Sequence, residues 1–112
     1  MGFKKIINNK FNKKTYIIEH DVGYDWKIIE TDLGHFIFEF RRDIIFKKKV
    51  LLSFTSTQSL DDTIREAGER TYNYCLSVDR FNPSKLNTDR FVEKLLIDLS
   101  IMRDNERYKS KL

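Results

Sequence analysis

His20 and His35 stand at the ends of two neighbouring runs of strand-forming residues, each close to an aspartate, Asp21 and Asp32. Two imidazoles and a carboxylate form a donor set that can bind a metal. No tight ligand spacing such as HxH or HExxH accompanies them, and aspartates at strand ends are ordinary turn residues. No metal or other cofactor is therefore expected. Cys75 is the only cysteine. A single thiol makes no internal disulfide and no multi-cysteine metal site, and it suits a reducing cytoplasm. It falls in an apolar stripe, where a free cysteine behaves as a small hydrophobe. The phosphate loops GxGxxG and GxxxxGK[ST] are missing, as is the GxSxG elbow.

Asp32, Glu39 and Arg41 form the one spacing that suggests an enzyme. An acid at a hairpin, then an acid and a base two apart on the next strand, resembles the restriction-endonuclease-like arrangement. That resemblance would imply magnesium on the carboxylates and a base that positions water. Here the base is Arg rather than Lys, and no helix precedes the hairpin. A small nuclease is thus the lowest of three functional expectations, and no catalytic residue is assigned.

The basic residues point to binding instead. Lys47, Lys48 and Lys49 interrupt an apolar run, with Arg41 and Arg42 just before it. Strand alternation sends Lys47 and Lys49 to one face and Lys48 to the other. Arg41, Lys47 and Lys49 are expected to share a solvent face, with Lys13 and Lys14 joining if the N-terminus folds alongside. A patch of Lys13, Lys14, Arg41, Arg42, Lys47 and Lys49 would attract phosphates with salt-dependent affinity. Tyr16, Tyr24 and Trp26 would serve as stacking platforms if exposed.

These residues must be carried by strands. Residues 15–20, 24–31 and 35–41 alternate β-branched and aromatic residues with polar ones. Phe36, Phe38 and Phe40 face one way; His35, Ile37, Glu39 and Arg41 face the other. Gly23 and Gly34 mark turns between the runs. Arg42 and Asp43 are expected to turn the chain into a further strand over 44–54. Short connections imply an antiparallel meander. Residues 3–7 can add an edge strand, for which lysines are suited.

The second half reads as two helices. Ser59 with Asp62 resembles a capping box. Leu60, Ile64, Ala67, Thr71, Tyr74, Cys75 and Val78 then form a stripe. After a break around Pro83, Asn87 or Thr88 can cap the second helix. Its main face is Phe91, Val92, Leu95, Leu96, Leu99 and Met102. Ile97 and Ile101 fall opposite that face, one turn apart. They either pack on the first helix or form a dimer interface. Residues 103–112 read as a frayed, charged tail.

The expected fold class is α+β: a four- or five-stranded antiparallel meander sheet, then two helices on one face. A chain of 112 residues implies one domain, 1–112, with residues 1–12 as a basic arm or edge strand. No apolar stretch is long enough to span a membrane, and the basic first ten residues do not read as a secretory leader. The net charge is +4, in alternating blocks: +5 over 1–18, −4 over 19–46, +3 over 47–56, −3 over 57–79 and +3 over 80–112. Any basic surface is therefore local. Lys, Asn and Ile abound while Ala67 is the only alanine, the mark of an AT-rich genome such as that of many viruses, phages and mobile elements. The leading expectation is a cytoplasmic, non-enzymatic nucleic-acid-binding protein, in dimeric form. The alternative is an inhibitor or adaptor of a host protein. A partner would meet the open sheet face or the Ile97–Ile101 seam.

Overall fold

The period-two aromatics build the sheet, and the two helices cover the face they create. The computed structural model describes residues 3–8, 14–78 and 84–110, with side chains from 14 to 78 and from 84 to 104. The strands are β1 (Phe3–Asn8), β2 (Lys14–Asp21), β3 (Tyr24–Glu30), β4 (Phe36–Ile44) and β5 (Lys47–Ser56). They pair antiparallel in the order β1-β2-β3-β4-β5. The helices α1 (Leu60–Ser77) and α2 (Lys85–Ser110) follow. The fold is α+β, an antiparallel meander with two helices after it. No helix among the described residues is long and apolar enough to cross a membrane.

Register explains which side chains meet. Tyr16, Ile28, Phe38 and Phe54 lie side by side across β2 to β5, and Ile18, Trp26, Phe40 and Leu52 form the next row. Partners directly opposite share a face, so these rows make one continuous apolar surface. Helix α1 adds Leu60, Ile64, Ala67 and Cys75; helix α2 adds Phe91, Val92, Leu95 and Leu99. The Trp26 ring receives the edges of Phe38 and Phe91 at 5.1 and 4.8 Å. Tyr16 and Trp26 are buried here and are not stacking platforms.

Local signals place the helix ends. The Ser59 hydroxyl accepts the Asp62 N–H, and Asp61 and Asp62 occupy the first turn, where they face the positive end of the helix dipole. Helix α2 begins earlier than the expected Asn87 or Thr88 cap: Ser84 accepts from Asn87 N and Thr88 N. Helix α2 also runs on to Ser110, about 39 Å. The expected frayed tail is helical there, and Arg103 bonds Asp61 at the start of α1 at 3.2 Å. The helices are closely packed at Gly68. A Cβ there would sit 2.4 Å from Val92 Cγ2.

Two bulges redirect side chains. Between Glu19 and Asp21 the β2–β3 register shifts, leaving His20 as the extra residue. A bulge re-aims the side chain it carries. His20 turns into the core, stacked on Trp26 at 5.8 Å and edge-on to Phe40 and Phe91. Burial holds its pKa below the ordinary 6.5, against the pull of Asp21. The second bulge shifts β5 against β4 between Phe40 and Arg41, where Leu51 is the extra residue.

Candidate nucleic-acid interface

The Leu51 bulge decides the fate of the basic cluster. Beyond it Arg41 pairs with Val50, Arg42 with Lys49, Asp43 with Lys48 and Ile44 with Lys47. The expected turn at Arg42–Asp43 is not where the chain turns. The hairpin runs three residues further and turns at Ile45–Phe46. The last pair between β3 and β4 is Tyr24–Arg42, so the Ile44–Lys47 pair and the turn project past the neighbouring strand.

The two faces of this projection differ in charge. On the open face of the sheet, Arg41 donates to Asp25 through Nε at 2.8 Å and Nη2 at 2.9 Å. Lys48 Nζ lies 3.2 Å from the same carboxylate and also pairs with Asp43. Asp25 is 1% exposed beneath them. Burial alone would raise its pKa; the hydrogen bonds and charges of Arg41 and Lys48 outweigh that and leave it lowered. Arg41 is therefore a structural cation. The expected shared face of Arg41 with Lys47 and Lys49 does not form, because the bulge in β5 moves Lys47 and Lys49 to the opposite side.

On the other face Arg42, Lys47 and Lys49 come together. Arg42 and Lys49 are direct partners, and Lys47 is two residues along the same strand from Lys49, about 6.8 Å. None of the three makes an ion pair among the described residues. The Arg42 guanidinium lies 6.0 Å from the centre of the Tyr24 ring. Lys14 is at the far end of the sheet, in register beside Glu30 and Phe36, roughly 25 Å along the strands from the hairpin tip. It does not join the patch. Lys13 lies outside the described residues.

The tip itself was not visible as a site. Ile45 is 82% exposed and Phe46 is fully exposed. Phe46 has φ +63, the left-handed region. For a bulky residue that conformation costs about 1–2 kcal/mol. An open groove of about 370 Å³ runs along Asp43 to Lys48 at this tip. Three apolar residues in a row, Ile44, Ile45 and Phe46, between an aspartate and a lysine run and outside any period, were the available signal.

The other candidates are dispersed. His20 is in the aromatic core and His35 is at the opposite end of the sheet, beside the β3–β4 turn. No group of three His, Cys, Asp or Glu among the described residues could hold a metal. Glu39 stands in mid-sheet between Lys27 and Ser53, while Arg41 is committed to Asp25. The acid-and-base spacing thus brings no magnesium-binding pair to one place. Cys75 is buried in α1, and burial raises its pKa. Ile97 and Ile101 are 59% and 53% exposed, so α1 does not cover them.

Comparison of the chain with family models, with curated proteins and with solved structures finds no match. Fold and surface together define an α+β meander protein with a projecting, basic, apolar-tipped hairpin.

Proposed function

We propose that the protein binds nucleic acid through the β4–β5 hairpin, as a non-enzymatic cytoplasmic protein. The observation that carries this reading is the segregation of charge across the hairpin. Lys48 and Arg41 are neutralised by Asp25 and Asp43, whereas Arg42, Lys47 and Lys49 stand together with no ion pair among the described residues. Three unneutralised cations on one projecting face suit a phosphate backbone. A duplex probe followed by fluorescence anisotropy tests this. Three phosphate contacts predict an affinity loss of about 40-fold between 50 and 200 mM salt. Affinity that does not respond to salt, or no binding at 50 mM, overturns the reading.

A homodimer through Ile97 and Ile101 belongs to the same proposal. The two isoleucines sit one turn apart on the side of α2 away from Leu95 and Leu99, and a second copy would remove them from water. Ile97→Glu should then convert the dimer to a folded monomer on a sizing column. A host-protein partner is the competing reading, and a salt-insensitive complex with one protein would favour it.

A further inference from the structure

Resting on the hairpin's reading as a phosphate-binding element, we infer that Ile45 and Phe46 form a wedge that enters the minor groove of duplex DNA and kinks it. Phe46 combines two unfavourable features: its backbone is left-handed at φ +63, and its ring is fully exposed. Ile45 beside it is 82% exposed. Strained residues at exposed tips belong to contact sites more often than to scaffolds. Apolar side chains inserted between base steps, with cations on the flanking phosphates, are how minor-groove proteins bend a duplex.

The geometry favours a duplex over the other anionic targets. The two-residue turn leaves Ile45 and Phe46 foremost, so that side chains and not the ribbon itself would enter between base steps. Arg42 and Lys49 are partners across the hairpin and Lys47 lies nearer the tip on the same face, while the lysine on the other face, Lys48, is held by Asp25 and Asp43. Cations gathered on one face meet a phosphate backbone running along that face. A lipid surface would be met by a ring of cations around the tip.

Phe46→Gly is the decisive variant. Glycine adopts φ +63 without strain, so the fold is kept and any loss is a loss of the ring. A 30-base-pair duplex labelled at both ends reports bending by energy transfer. The wild-type protein should raise transfer on binding. Phe46→Gly should bind about tenfold more weakly, with the same salt dependence, and leave transfer at the free-duplex value. An unchanged bend in the variant, or no bend with wild type, overturns the wedge while leaving the phosphate contacts standing. No wild-type binding at 50 mM salt removes the hairpin reading and the wedge with it. Capture by phosphatidylserine vesicles that depends on Phe46, with no duplex bound, makes the tip a lipid contact and overturns the wedge.

Discussion

Arg41 grips the buried carboxylate of Asp25 with two hydrogen bonds, from Nε and Nη2, across the β3–β4 pair. The guanidinium fork matches both carboxylate oxygens. This pair anchors the base of the hairpin and withdraws one cation from its surface. Removing Arg41 leaves the carboxylate buried with Lys48 alone. Arg41→Ala should therefore cost about 3 kcal/mol, read from urea midpoints at pH 7. Replacing both partners by leucine should recover most of it, because no charge is then stranded. Asp25 has a lowered pKa, so its contribution is present above the unfolded value of 3.8 and is lost as pH falls from there through the folded value. In Arg41→Ala the acid transition should move to higher pH. A variant as stable as wild type would show the pair to be incidental.

His20 predicts a second pH dependence at higher pH. The aromatic box of Trp26, Phe40 and Phe91 keeps it neutral in the fold. Below the ordinary 6.5 the unfolded chain binds a proton that the folded chain resists. Stability should thus rise with pH through that window and fall on acidification, by about 1.4 kcal/mol for each unit of depression. Urea midpoints at pH 7.5 and 5.5 check this, and the difference should shrink in His20→Phe. Equal midpoints in the wild type would place His20 in water.

The Gly68–Val92 approach predicts a change of sign. Alanine favours helix over glycine by about 1 kcal/mol. Gly68→Ala should nonetheless destabilise by about 1 kcal/mol, because its Cβ meets Val92 Cγ2 at 2.4 Å and valine is stiff at χ1. In a Val92→Ala background the same change should stabilise. Destabilisation of equal size in both backgrounds would contradict the contact.

The alternation of Phe36, Phe38 and Phe40 and the Ser59 cap were legible because each is set by neighbours along the chain. The pairing of β4 with β5 was legible too, but the hairpin's register and turn were not. The bulge at Leu51 arises from pairing with β4 and leaves no local mark, yet it inverts the faces of Lys47, Lys48, Lys49 and Val50 relative to unbroken alternation. The turn escaped for a related reason. Ile45–Phe46 contains none of the Gly, Asn or Asp that announce a left-handed residue, so Arg42–Asp43 looked the better turn. Asp25, sixteen residues from Arg41, reads as a solvent-facing strand residue until the register is known. His20 looked like a turn residue until the β2–β3 bulge turned it, half-buried, against the aromatic core.

The central claim is that Arg42, Lys47 and Lys49 are the phosphate contacts. The measurement that tests it most directly is the salt dependence of duplex binding by the triple variant Arg42→Ala, Lys47→Ala, Lys49→Ala, beside a control, Arg65→Ala, Lys85→Ala, Lys94→Ala. The control cations are paired on the helices, with Glu93, Asp89 and Asp98. Loss of three contacts should flatten the plot of log affinity against log salt by about 2.7 in the hairpin variant. The control should keep the wild-type slope. Equal slopes in wild type and hairpin variant, or the same flattening in both variants, would contradict the account.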